Sequence, residues 1–415
     1  MKEARVERAQ RPVDQGCRVQ VGAGRSAVVA VRCAGYDFEQ VQAGVREVLA
    51  PLGGMEAFVR PGERIALKPN LLFGASPSQA VTTHPAVVAA VAVAVREAQA
   101  TPVVVESPGS GVVHARPVIE KVYRKTGMRE AADHYGFELN LDTAWEAVSC
   151  PEGRVVHRLD VISPMLQADG VINLAKFKTH TFMTFTGATK NLFGVIPGLN
   201  KPGYHGKLAE PDQFAGMLLD VATFVRPRLS IVDGILAMEG LGPGAAGTPR
   251  PLGVLLAGAD PLAVDVACCR IAGIDTSAVP VLSVAQKQGR WSGRDVEVDT
   301  LGIPIAELRV KDYVLPSRWS RDAGLTYYPL VGKMVAPLLR SGLNRFPRPN
   351  ESLCTLCGVC ARSCPTEAIR MTDTVPQIDD ARCIRCYCCH ELCPSAAIDL
   401  QFKGVGRIMH RLGLV

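Results

Sequence analysis

The sequence predicts two folded units: an α/β body with a largely parallel sheet, and a small α+β domain organised by cysteines towards the C-terminal end. Three observations carry this. From about Val21 to Pro316, short β-branched runs alternate with longer amphipathic ones, the rhythm that builds a parallel sheet with crossover helices. Polar residues fall where the predicted strands end, which is where open α/β sheets collect their functional groups. Nine of the fourteen cysteines lie between residues 354 and 393. A chain of 415 residues is also too long for one compact core.

Taken in order, the body reads as follows. Arg64–Leu67 is a strand that breaks at Lys68, Pro69 and Asn70. Thr83 caps a helix with Pro85 in its first turn, running to about Gln99. The strand PVVVES follows, then a helix from about Pro117 to Lys125. GVINLAK, LSIVDGI and PLGVLLAGAD read as further buried strands, with PDQFAGMLLDVATFV and PLAVDVACCRIAG as helices between them. The expected boundaries are a flexible segment over 1–20, the α/β domain over 21–315, a Pro-rich linker over 316–349, the cysteine domain over 350–402 and a basic tail over 403–415. The linker, with five prolines, and the tail are apolar with scattered cations. Two roles stand for them: packing the small domain onto the body, or contact with a partner or a membrane surface.

Composition bounds the function. Hydrophobic content of 47% and charged content of 21% describe a folded globular chain. The longest apolar run, Ala86–Val95, is ten residues, against the ~20 a membrane helix needs. No transmembrane segment is expected. The charged N-terminus lacks a signal-peptide core, so the expected location is cytoplasmic. Residues 350–402 hold four basic and seven acidic side chains, leaving 42 basic and 33 acidic elsewhere. The body is therefore basic, a balance that invites an anionic ligand. Nucleic acid is not expected, because no Lys/Arg run exceeds two residues and aromatics are 6%.

Residues 176–194, KFKTHTFMTFTGATKNLFG, carry Lys176, Lys178, His180 and Lys190 without one acid. If 171–178 is extended, Lys176 and Lys178 face one way at period two, with His180 next in line. Thr186 and Lys190 are i,i+4 on any following helix, and Gly187 and Gly194 allow close approach. With Lys68, Asn70, Asn173 and Asn191 the stretch forms one cationic pocket wall. The alternative is a structural network in which Asp233 and Asp260 partner the lysines, with His180 a hydrogen-bonded core histidine. The glycine-rich stretch Met238–Pro251 does not fit the dinucleotide fingerprint. It reads as a ligand-lining lid or as a plain connector. Neither a phosphate-binding loop ending in Gly-Lys-Ser/Thr nor a nucleophile-elbow serine is present.

The cysteines give the strongest signal. CTLCGVCARSCP at 354–365 and CIRCYCCHELCP at 383–394 each read Cys-x-x-Cys-x-x-Cys-x-x-x-Cys-Pro, the bacterial ferredoxin run. TEAIRM and SAAIDL follow the two runs as an internal repeat. Asn350 to Phe402 resembles the two-cluster bacterial ferredoxins. That arrangement implies two 4Fe-4S clusters: Cys354, Cys357, Cys360 and Cys393 on one, and Cys383, Cys386, Cys389 and Cys364 on the other. A zinc site built from cysteine pairs is the alternative. Cys388 stands where a spacer belongs, either as a bystander or as a mispairing ligand.

KPNLL, the THP at 83–85, NLAKFKTH, GATKNLFG, VDGILAMEG and AGADPLAVD resemble the domain-of-unknown-function family 362 over roughly residues 27–285. That family often carries a C-terminal ferredoxin module, and the resemblance implies an iron–sulfur redox protein with its substrate open. The function expected is a relay of electrons from the module to an anionic small molecule, substrate or cofactor, held by Lys68, Asn70, Asn173, Lys178, Lys190 and Asn191. Lys176 and His180 take catalytic roles, the histidine supplying a proton and the lysines neutralising charge that grows on reduction. An electron carrier whose body only docks a redox partner protein is the second reading, and a redox sensor or structural staple the third.

Overall fold

The computed structural model describes residues 26–109, 112–292, 298–316, 345–403 and 407. The expected flexible segment over 1–20, most of the linker over 316–349 and most of the tail over 403–415 lie outside the described residues. Among the described residues no helix is long and apolar enough to cross a membrane.

The strands of the body are β1 (Ser26–Arg32), β2 (Arg64–Pro69), β3 (Thr101–Val104), β4 (Glu138–Leu139), β5 (Trp145–Ser149), β6 (Arg158–Ile162), β7 (Gly170–His180), β8 (Thr184–Thr186), β9 (Leu229–Gly240), β10 (Gly247–Gly258) and β11 (Val298–Gly302). Apart from the β5–β6 hairpin they make one sheet in the order β11-β1-β10-β9-β7-β2-β3-β4, with β8 added to β7. The run β9-β7-β2-β3-β4 is parallel, while β10 is antiparallel to both β9 and β1. Helices cover both faces. Ile65 and Leu67 of β2 enter one apolar cluster and Ala66 enters another, because alternate side chains of a doubly covered strand are all buried. The predicted α/β body with a largely parallel sheet is the observed one.

Local differences have plain causes. His84, rather than Thr83, caps the helix Pro85–Glu97 through its Nδ1, which accepts from Ala86 N. Thr83 instead donates its hydroxyl to Leu174 O and accepts from Asn70 N, tying that turn to β7. Thr186 ends β8, and the short helix begins only at Ala188. The expected i,i+4 relation of Thr186 to Lys190 is therefore not formed. The glycine-rich stretch is the β9–β10 turn, where Gly240 at φ 71° takes the left-handed backbone that glycine favours.

In the small domain, β12 (Arg345–Pro349) pairs antiparallel with β15 (Ile398–Phe402), and β13 (Ile369–Arg370) with β14 (Gln377–Ile378). The strand 345–349 thus belongs to this domain, not to the linker as expected. Its prolines misled the reading because Pro is tolerated in a two-stranded edge ribbon. The domain is docked against the C-terminal end of the body's sheet. Tyr387 packs against the cluster containing Phe193, with Tyr204 at the same cluster's rim. His390 Nε2 lies 3.4 Å from Leu241 O in the β9–β10 turn.

Gly244 of that turn passes so close to the small domain that a Cβ there would lie 2.0 Å from Glu391 O. Gly244→Ala must push two backbones apart and is expected to weaken the docking by ~1–3 kcal/mol, the usual cost of overpacking. Faster limited proteolysis at the junction, with the body's own unfolding unchanged, is the expected result.

Candidate functional site

Residue parity divides the expected pocket wall. In the β2–β7 ladder Lys68 lies opposite Asn173, and in the β7–β9 ladder Lys176 lies opposite Asp233. Successive side chains of a strand point to opposite faces, so Lys68 and Asn173 occupy one face while Lys176 and Lys178 occupy the other. The single wall is corrected to two half-sites meeting at the sheet's edge.

On the first face, Lys68 Nζ donates to Glu106 Oε2 at 2.5 Å, both side chains being buried. A Cβ on Gly194 would lie 2.2 Å from Glu106 Oε1 and 2.5 Å from Lys68 Nζ, so a larger residue there would have to displace the ion pair. Burial is the largest influence on both groups: it pushes the ammonium down and the carboxyl up, against their mutual attraction. Asn173 donates to Ala188 O and to Ser230 Oγ, and Asn191 donates to Asn173 Oδ1 and Lys68 O. These amides position the short helix Ala188–Asn191 that carries Lys190.

On the second face, Lys176 Nζ donates to Asp233 Oδ2 at 2.8 Å and to the Tyr36 hydroxyl at 3.0 Å. Tyr36 in turn donates to Asp233 Oδ1 at 2.8 Å and stacks on His84 with ring centroids 3.6 Å apart. Lys176 thus has the acid partner that the alternative reading gave it. Asp260 does not join it: this carboxylate caps the helix Pro261–Ala272 and accepts from Ser26.

Asn70 joins the half-sites. Its Oδ1 accepts from Lys178 at 2.8 Å and its Nδ2 donates to Asn191 Oδ1 at 3.0 Å. Lys178 is otherwise held by carbonyls, Val81 O at 2.7 Å and Pro243 O at 3.4 Å. Burial, with Lys190 and Lys176 nearby, drives its ammonium well below the usual lysine range. Lys190 has no hydrogen-bond partner among the described residues. It lies deep in the protein yet keeps partial access to solvent.

The nearest counter-charge to Lys178 and Lys190 comes from the small domain. Glu391 is buried, and its Oε1 lies 3.3 Å from His180 Nδ1. Burial pushes the Glu391 carboxyl up to about 7, opposed by Lys190 and Lys178. His180 Nδ1 accepts from Phe182 N and Met183 N. The imidazole therefore turns an unprotonated nitrogen towards the carboxyl, whose Oε1 makes no hydrogen bond among the described residues. Glu391, Glu106, Tyr36 and His84 were absent from the expected site. Glu106 was visible as a polar strand end, but Glu391 lies more than two hundred residues away in sequence.

The cysteines surround two hollows. Cys354, Cys357, Cys360 and Cys393 line one, and Cys364, Cys383, Cys386 and Cys389 line the other. In each, a backbone amide donates to the fourth sulfur: Ala397 N to Cys393 Sγ at 3.1 Å, and Ala368 N to Cys364 Sγ at 3.2 Å. Left-handed residues recur in pairs at the same offset as the runs, Leu356 with Arg385, Gly358 with Tyr387 and Glu367 with Ala396. Non-glycine residues hold that strained backbone only where the surroundings demand it. Two thiol-lined hollows with amides aimed at sulfur fit the donor chemistry of 4Fe-4S binding. Cys388 is fully buried, lines the second hollow and hydrogen-bonds Cys386.

The surroundings of the lysines predict different responses to substitution. Removing one partner of a buried ion pair costs ~3–5 kcal/mol, whereas replacing both costs far less. Lys176→Met and Asp233→Asn are each expected to destabilise by that amount in urea unfolding, with the double variant recovering most of the loss. Lys190→Met is expected to leave stability nearly unchanged.

The description "Domain of unknown function (DUF362)" matches residues 65–270, and a 4Fe-4S binding domain matches residues 347–370. The thylakoid-associated protein sll1697 of Synechocystis sp. is 35% identical over 277 residues, covering 63% of this chain and 79% of that protein. Among solved structures, the lactate racemase apoprotein of Thermoanaerobacterium thermosaccharolyticum is similar at a TM-score of 0.38 and 11% identity, over 63% of this chain and 58% of that one. The protein is therefore an iron–sulfur protein, and the chain belongs to the family of domain of unknown function 362.

Proposed function

We propose that the protein is an electron-transferring oxidoreductase component that binds two 4Fe-4S clusters and delivers electrons to an anionic small molecule held beside Lys190. Cys354, Cys357, Cys360 and Cys393 would hold the outer cluster, and Cys364, Cys383, Cys386 and Cys389 the inner one. Such a cluster supplies one-electron transfer at a potential set by hydrogen bonds and burial. The observation carrying the proposal is Glu391: two residues after Cys389, it enters the body between Lys178, Lys190 and His180. The helix of the inner cysteines and the cationic site are thereby one continuous structure.

The residues divide the work. Lys190 and Lys178 attract the anion and oppose the negative charge that grows on it. Asn70 and Asn191 fix their positions. The Glu391–His180 contact offers a proton on the side where charge accumulates. Lys176, Lys68 and Asn173 hold the scaffold, so Lys176 loses the catalytic role that the sequence suggested.

A second reading, an electron carrier whose body docks a reductase, has one observation in its favour. Cys357 is exposed, and Leu353 and Leu356 beside it are 47% and 41% exposed. That face gives a redox partner protein access to the outer cluster on either reading. The location proposed is cytoplasmic with peripheral membrane contact, which the thylakoid association of the relative supports.

Protein purified without oxygen is expected to carry about eight irons and eight sulfides per chain, with coupled paramagnetic signals on reduction. Zinc without sulfide would overturn the proposal. Cys388→Ser is expected to retain full iron content, whereas Cys389→Ser loses about half. Lys190→Met with both clusters intact and electron delivery unimpaired would favour the carrier.

A further inference from the structure

The two cysteine sites share one backbone cradle, and a single side chain in their walls breaks the likeness. Position 388 follows Cys386 as position 359 follows Cys357. Both open a short helix, Val359–Arg362 in the first run and Cys388–Glu391 in the second. Each helix is preceded by a left-handed residue, Gly358 at φ 70° and Tyr387 at φ 62°, so the two positions are matched in backbone as well as in sequence. Val359 lines the first hollow and Cys388 lines the second. An isopropyl group thus stands in one wall where a thiol stands in the other. Val359 is half-buried, whereas Cys388 is 0% exposed.

Enclosure leaves the Cys388 thiol few partners. Its side chain hydrogen-bonds that of Cys386, and no oxygen or nitrogen accepts from its sulfur among the described residues. Cys386, as a cluster ligand, is a thiolate and has no proton of its own to give. The hydrogen in that contact therefore belongs to Cys388. A thiol enclosed beside a thiolate keeps its proton, because a second buried charge of the same sign would be uncompensated. An added electron increases the negative charge on ligand sulfurs, and a donor aimed at one of them strengthens as that charge grows. We propose that Cys388 is a positioning residue that tunes the inner site: its S–H donates to Cys386 Sγ, stabilises the reduced state there and raises the reduction potential above what the shared cradle gives. Val359 has no such hydrogen, so the outer site lacks the effect. This rests on the proposed function, which makes Cys386 a ligand of the inner cluster, and it adds a pull on the electron towards the end of the module that is docked on the body.

The test is a redox titration of the full-length, cluster-containing protein, with iron content measured on the same samples. Two one-electron midpoints are expected. Cys388→Val puts the first run's residue into the second. It is expected to lower one midpoint, so that the reduced-to-oxidised ratio at a fixed potential falls about threefold or more, with the other midpoint and the iron content unchanged. Cys388→Ser keeps a donor and is expected to move the same midpoint by less than half as much. Val359→Cys is the reverse test: a donor brought to the first hollow is expected to raise the other midpoint. Unmoved midpoints in Cys388→Val with full iron content overturn the inference and leave the proposed function standing. Loss of iron in Cys388→Val while Cys386→Ser retains it makes Cys388 itself the ligand, which also overturns the inference. Where neither variant assembles the inner site, Val359→Cys decides, and an unmoved outer midpoint overturns the inference. Absence of iron and sulfide from the unsubstituted protein purified without oxygen would count against the proposed function instead.

Discussion

The compensation of buried ammonium groups at the carboxyl edge of the sheet governs this structure. An isolated charge in a protein interior costs several kcal/mol even after relaxation, and Lys68, Lys176, Lys178 and Lys201 are all essentially buried. The fold answers in three ways. Lys176 and Lys68 receive carboxylates, Asp233 directly opposite on β9 and Glu106 just beyond β3. Lys178 and Lys201 receive carbonyl cages, which satisfy hydrogen bonds without cancelling charge. The remaining field is met by Glu391 from the small domain. The third answer makes the docking of the domain a consequence of the body's electrostatics.

The two cysteine sets are internally alike and externally different. Paired left-handed residues and paired amide-to-sulfur bonds give both the same backbone cradle. Yet Cys357 of the first is exposed, whereas every cysteine of the second is buried or half-buried. Burial and nearby charge are the levers by which a protein sets cluster potential. One repeat thus yields an outward and an inward site without any difference in ligand type.

The sequence made the two-unit architecture legible because periodicity and cysteine spacing are local signals. RIAL and GVINLAK read as strands since their buried residues are contiguous, and the crossed cysteine sets are what the resemblance to the two-cluster ferredoxins implies. Ion pairing was only half legible. Asp233 was visible as a possible partner of Lys176, but period-two parity between neighbouring strands depends on register, which one strand does not reveal. That is why Lys68 and Asn173 were grouped with Lys176 on one wall. Glu391 was illegible for another reason: its role arises from the docking of two units, and no local pattern encodes it.

The local field also gives the body a role that a free ferredoxin-like domain lacks. An electron placed near the inner cysteines adds negative charge beside Lys178 and Lys190. Two unit charges several ångströms apart interact by a few kcal/mol at the effective dielectric of a partly buried site. Glu391 alone would oppose that charge, but it stands against more than one lysine and can be neutral near pH 7. On the proposed function, the body would therefore favour electron arrival at its own end of the module. Direction would then be set by where the lysines are buried, and the same lysines would hold the anion that receives the charge.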